Sequence, residues 1–299
     1  MSVGGAAEGS GRVGDGPEHG WPADPYPATD PGPDLDADEA LAGQALDLPP
    51  DTSSAARSWL LIGVVGFLVG QLAGVIMLAA VAAANGHTHD YLRLSTQAIP
   101  PGWIVVCELV GLWIGFIGAV VLASRTRGTG HPARDMGLAV RGSDLVVGPL
   151  VGLAGQFLLL PLLYLPLRPF IPHLNQRLAG PSHHLTGGFP GADLVIIGAL
   201  TVLVVPVVEE LLFRGLLLRA LLRLLGRAGR ILGPALACLC TGILFGLAHF
   251  QALQLLGLAT FGVVLSYLAY RQRRLGPSIL AHATFNLVAI VAVARGTVH

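Results

Sequence analysis

Residues 58–84 read SWLLIGVVGFLVGQLAGVIMLAAVAAA, a stretch without Asp, Glu, Lys or Arg. As a helix rising ~1.5 Å per residue it reaches about 40 Å, enough to cross the ~30 Å hydrocarbon layer of a bilayer. Six further apolar stretches follow, at 102–123, 145–168, 192–213, 232–250, 252–270 and 276–294. Backbone amides inside hydrocarbon must be paired within their own segment, so such runs cross as helices. The predicted fold is therefore all-α, a polytopic membrane helix bundle of about seven transmembrane helices. The fifth and sixth segments are joined so tightly that a re-entrant or strongly tilted helix is one way to fit both.

Composition agrees. Of 299 residues 53% are hydrophobic and 12% charged, against roughly 25% charged in an ordinary soluble domain, which excludes a simple soluble globule. Lys+Arg and Asp+Glu are equal at 18, and every basic residue is Arg, so no net charge attracts nucleic acid. Cys107, Cys238 and Cys240 lie in apolar runs, where a thiol behaves as a small hydrophobe, which argues against a disulfide framework or a cysteine zinc site. Residues 1–56 hold eleven acidic residues and a single arginine, Arg12, and too little apolar surface to offset chain entropy. They are expected to form a disordered cytoplasmic tail. Gly4 to Pro33 offers no apolar core for a secretory signal, so the first hydrophobic segment is expected to stay in the protein. The chain thus divides into the tail, N-terminal transmembrane helices at 57–191 and a C-terminal helix core at 192–299.

Arginine placement orients the bundle, because short cytoplasmic loops are enriched in arginine. Arg125, Arg127, Arg134 and Arg141 lie between segments two and three. Arg219, Arg223, Arg227 and Arg230 follow segment four, and Arg271, Arg273 and Arg274 follow segment six. The alternate connections hold only Arg93 and Arg177. This puts the N-terminus in the cytoplasm and His299 on the far side. The four-residue spacing of Arg219, Arg223 and Arg227 forms a polar stripe, which predicts that helix four continues as an amphipathic segment along the cytoplasmic interface.

Ionisable residues inside apolar helices are costly and face a protein interior or a water cavity by default. They are Glu108, Glu209, Glu210, Arg214, His249 and His282. In PVVEELLFRGLLL (206–218), Glu210 and Arg214 are four apart with the acid first, the favourable direction for a helical ion pair. Glu209 lies ~100° round the helix from Glu210 and points to a different neighbour, so the pair splits into one structural and one available carboxylate. Phe245 and His249 share one helix face, and His282 and Asn286 share another.

Glu209-Glu210-x-x-x-Arg214, Phe245-x-x-x-His249 and His282-x-x-x-Asn286, in that order, resemble the signature of the CPBP family, which comprises Rce1-type CAAX-processing endopeptidases and related bacterial bacteriocin-processing and immunity (ABI) proteins. The likeness covers about residues 192–294 and leaves the preceding helices and the tail unexplained. It implies an intramembrane endopeptidase that hydrolyses a peptide bond with glutamate-activated water, Glu209 and His249 acting on the water and His282 and Asn286 on the oxyanion side. Chemistry runs the same way. Amide hydrolysis needs an activated water and a group that stabilises the developing oxyanion. Glu209 can serve as general base, His249 can hold the water or donate to the leaving amine, and His282 with Asn286, one turn apart, can direct N–H donors at the oxyanion. Arg214 would fix Glu210, with Phe245 in structural support.

Metal dependence is open at this level. Glu209, His249 and His282 form an acceptable zinc ligand set with an open position for water, and family members are often labelled metalloproteases. The same residues suffice for a metal-free mechanism, which the resemblance to Rce1-type enzymes also implies and which we favour slightly. Expected partners are a peptide or membrane-protein substrate and the lipid bilayer, with no nucleic acid. Abundant Ala, Gly and Arg without Lys fits a GC-rich genome and a bacterial plasma membrane.

Depth poses a conflict. At ~1.5 Å per residue, Glu209 lies about 24 Å from Asp193 and His282 about 9 Å from Gly276, both towards the cytoplasmic side. His249 lies about 28 Å from Arg230, near the opposite face if its helix crosses straight. A shared water requires the Glu209 and His249 side chains within about 10 Å of each other. Glu108 matches no family motif and has three readings: support for the site from behind, a pair with an arginine of another helix, or solvation near an interface. His87, His89, His183 and His184 are expected to face water, the last two as an adventitious metal pair.

Other intramembrane chemistries lack their residues. No His-Glu-x-x-His, Gly-x-Ser-x-Gly or membrane-embedded Gly-x-Gly-Asp is present. A proton-coupled transporter would show inverted repeats, and none is visible. An inactive membrane scaffold or immunity protein is the main alternative.

Overall fold

A computed structural model of the chain describes residues 52–86, 93, 101–186 and 192–295. Among them every regular element is helical. Seven helical runs occupy the seven apolar stretches. Helix α1 is Thr52–Ala84 and α2 is Gly102–Arg127. A short α3, Pro132–Met136, precedes α4, Asp144–Leu167, and α5, Leu174–Thr186, lies before the fourth long run. That run, α6, covers 192–225 and is broken by π turns at Leu200–Val204 and Leu211–Leu217. Then come α7 (Leu232–Leu247), α8 (Leu255–Gln272) and α9 (Gly276–Ala294). By length and composition α1, α2, α4 and α6 can cross a membrane, while α7 and α9 are shorter apolar helices. Outward rows such as Leu61, Leu68, Leu72 and Ile76 on α1 and Leu150, Leu158 and Leu162 on α4 are exposed, as a lipid-facing surface requires.

Two boundaries differ from expectation. Helix α1 begins at Thr52, inside the region read as tail; Ala56 and Trp59 are fully buried, so packing against the bundle holds this extra turn. The rest of the tail, with His87 and His89 and the side chains of His183 and His184, lies outside the described residues. Helix α6 continues through the arginine stripe as far as Leu225, with Arg219 buried, Arg223 half-buried and Arg227 exposed. Arg219 is buried and donates to Asp135 O at 3.2 Å and Arg273 O at 3.4 Å, and the Arg223 guanidinium sits 5.2 Å from the Trp59 ring. Finally, α7 stops at Leu247 and a turn at 248–254 leads into α8. Phe250, at φ +53° in that turn, brings its ring 6.2 Å from Phe67, near the middle of α1. His249 therefore sits at mid-bundle depth, because its helix is too short to traverse the full bundle.

Close helix approach comes from glycine. A Cβ on Gly111 would lie 2.2 Å from Gly74 Cα, and one on Gly115 would lie 2.2 Å from Gly66 O, a small-residue seam of the kind that draws membrane helices together. Gly118, on the same helix, would meet nothing within 4 Å. Gly115→Leu is expected to separate α1 from α2 and destabilise the protein by at least the ~1–3 kcal/mol of core overpacking, whereas Gly118→Leu leaves the unfolding midpoint in detergent unchanged.

The bundle has two distinct ends. At one, Leu275 N donates to Gly137 O, Gly276 N donates to Ala139 O and Arg274 pairs with Asp144 at 2.5 Å; with the Arg219 contacts, these gather the connections after α2, α6 and α8. At the other, Tyr164 Oη donates to Leu253 O at 2.8 Å and Gln254 Nε2 donates to Arg177 O at 3.0 Å.

Candidate active site

The site begins with a defect in α6. Pro206 has no N–H for the carbonyl of residue 202, and its ring crowds the preceding turn. The chain widens into the π turn Leu200–Val204 just ahead of it, and a second π turn follows Glu210 directly. Such turns recur at functional sites because they re-aim side chains and release backbone acceptors. One released acceptor is Thr201 O, to which Asn286 Nδ2 donates at 3.0 Å.

Between these turns the two glutamates part. Glu210 is wholly buried, and its Oε1 accepts from Arg214 Nη1 at 2.7 Å and from His282 Nδ1 at 3.2 Å. Arg214 also donates from Nη2 to Gly262 O at 2.9 Å, and its guanidinium lies 4.5 Å from the Phe245 ring centroid. Glu209, on the adjacent face, lines a cavity of about 1020 Å³ shared with Phe245, His249, His282 and Asn286. Its Oε2 is buried without a hydrogen-bond partner among the described residues and lies 3.8 Å from His282 Nε2.

Phe245 joins the two histidines. Its ring centroid is 4.8 Å from that of His249 and 5.5 Å from that of His282, with Phe213 edge-on at 5.2 Å. His249 Nδ1 lies 2.8 Å from Phe245 O. A carbonyl only accepts, so Nδ1 carries the proton and a neutral ring leaves Nε2 as an acceptor. His282 Nδ1 faces the arginine-bound carboxylate of Glu210 and is a donor for the same reason. The structure thus brings Glu209, His249, His282 and Asn286 to one cavity and places Glu210, Arg214 and Phe245 behind them.

Glu209, His249 and His282 line the same cavity, and both rings, with Nδ1 at Phe245 O and Glu210, leave Nε2 for another partner; among the described residues no group of three His, Cys, Asp or Glu side chains is close enough to hold a metal ion.

Three cavity residues escape a search confined to charged groups. Gln71, Gln156 and Thr201 line the same space, and Gln156 Nε2 donates to Phe285 O at 3.0 Å. An amide in an otherwise apolar run was the available signal. Glu108 also lines the cavity, exposed on α2.

Residues 191–288 match the family model for type II CAAX prenyl endopeptidase Rce1-like proteins. The match spans about a third of the chain and contains all seven residues of the three motifs. No curated protein and no solved structure matches the chain. The likeness supports a membrane endopeptidase at family level for this segment.

Proposed function

We propose that the protein is an intramembrane endopeptidase that uses Glu209 to activate water without a metal. The observation that carries this reading is the division of labour between adjacent carboxylates: Glu210 is tied to Arg214 and His282, while Glu209 faces a cavity with an unpartnered oxygen. A water held between Glu209 and His249 Nε2 loses a proton to Glu209 as its oxygen attacks the scissile carbonyl carbon. The carbonyl oxygen gains negative charge beside Asn286 and His282, whose N–H groups stabilise it. A ring whose Nδ1 donates to Glu210 offers an Nε2–H as imidazolium, and the two flanking glutamates balance that charge. Collapse of the tetrahedral intermediate breaks the C–N bond, and Glu209 passes its proton to the leaving amine. The Asn286 amide uses one N–H on Thr201 O, which orients the other.

The family match and the apolar helices support a membrane location. Under the positive-inside rule the arginine-rich end and the N-terminus are cytoplasmic, in a bacterial plasma membrane. The substrate is a peptide or membrane protein.

Purified protein in liposomes, compared with Glu209→Ala on a panel of quenched peptides, tests the reading. Cleavage that is lost in the variant and survives EDTA is the expected result. Loss in EDTA restored by zinc would replace glutamate activation with metal activation, and equal cleavage by both proteins would overturn the mechanism and favour an inert scaffold. Asn286→Ala is expected to lower kcat by about 10²–10³-fold, the range for removal of one oxyanion donor, with KM nearly unchanged in the same peptide assay.

A further inference from the structure

We infer that the cavity is served from the end of the bundle opposite the arginine-rich connections, so that its substrate is a polypeptide presented on the extracytoplasmic side of the membrane. The word substrate rests on the peptidase reading; the direction of access does not.

Two sets of observations carry it. The first concerns the floor. Glu209 on α6 and His282 on α9 are the lining residues nearest the arginine-rich ends of their helices, and Phe245 lines the wall with them. Beyond them, towards the arginine-rich end, Phe116, Leu212, Phe213 and Leu216 pack at 0–3% exposure and none of the four lines the cavity. The second concerns the rim. At the opposite end the lining includes Arg168, Asn175, Gln251 and Gln254, and Arg168 and Asn175 are exposed. Gln254 precedes the first residue of α8 and Arg273 follows its last, so rim and arginine-rich end are separated by a helix of about 27 Å at 1.5 Å per residue. Polar side chains there suit water and a polar chain entering an otherwise apolar wall, where unpaired backbone amides would be costly.

Charge then assigns the sides. The connections after α2, α6 and α8, with the helix ends that lead into them, hold eleven of the 18 arginines and meet through Arg219, Arg274 and Asp144. Arginine-rich short loops stay in the cytoplasm, which puts the rim outside. A cytoplasmic segment would have to pass the packed core to reach Glu209.

Cysteine accessibility decides the matter without any activity. In a Cys240→Ser background, whose remaining Cys107 and Cys238 are buried, single cysteines are placed at Asn175→Cys on the rim, Glu108→Cys inside the cavity and Arg230→Cys at the arginine-rich end. Spheroplasts are treated with a membrane-impermeant maleimide before and after permeabilisation. The rim and cavity cysteines are expected to label equally in both conditions, and Arg230→Cys only after permeabilisation. The reverse pattern would overturn the inference, as would a Glu108→Cys that labels only after permeabilisation. In right-side-out vesicles the peptide is then expected to be cut only when supplied outside. Absence of cleavage from either side would count against the peptidase reading alone, because the labelling has already decided the side.

Discussion

Glu209→Gln is expected to lower kcat by about 10²–10⁴-fold, the contribution of a positioned general base, while thermal unfolding in detergent stays at the parent midpoint. The substitution keeps the volume and removes the ability to take a proton from water. At ~1.36 kcal/mol per factor of ten, the loss corresponds to about 3–5 kcal/mol of transition-state stabilisation. The unchanged midpoint follows from the contacts of Glu209: no described residue donates to its Oε2, and its approach to His282 is 3.8 Å. Glu210→Gln, one residue on, should do the opposite and destabilise the fold, because it removes the charge that Arg214 faces at 2.7 Å. A Glu209→Gln enzyme with undiminished kcat would end the general-base assignment.

Arg214→Leu is expected to destabilise the protein by about 3–5 kcal/mol, the usual consequence of leaving one member of a buried pair uncompensated. Both side chains are fully buried, so water cannot take over the role of the guanidinium. The same change removes the bond to Gly262 O that links α6 to α8 and the contact with the Phe245 ring. The double variant Arg214→Leu with Glu210→Leu should recover much of that stability, since an apolar pair of similar volume often matches a buried ion pair. Its activity should stay low, because His282 Nδ1 has lost its acceptor. The thermal midpoints of the single and double variants, with peptide hydrolysis alongside, check both halves. A double variant as unstable as the single one would show that Arg214 acts through Gly262 and Phe245 rather than through charge.

Much of the bundle was legible from residue order. The apolar stretches at 102–123 and 276–294 became α2 and α9 with little change, because transfer of apolar residues into hydrocarbon is a local, additive quantity. The 210/214 ion pair was legible for a similar reason: helical spacing alone sets which side chains can meet. The depth of His249 was not. It depended on α7 ending at Leu247 and on a left-handed Phe250 in the turn, and nothing in the apolar run 232–250 marks that stop. The partner of Arg219 was not legible either, because an amphipathic pattern says that one face is polar and not what that face meets. Here the partners were the carbonyls of Asp135 and Arg273.

By itself the sequence determined that this chain is a helical membrane bundle, and it singled out Glu209, Glu210, Arg214, Phe245, His249, His282 and Asn286 through periodicity and through charge misplaced in apolar runs. The tertiary arrangement was needed to see that Glu210 rather than Glu209 holds His282 Nδ1, that Asn286 is oriented by Thr201 O, and that Glu209, His249, His282 and Asn286 line one cavity. The reason is physical. Helical periodicity and transfer free energy act within one segment, whereas each of these pairings depends on the rotation and axial shift of one helix against another, which glycine seams and π turns set and no single segment contains.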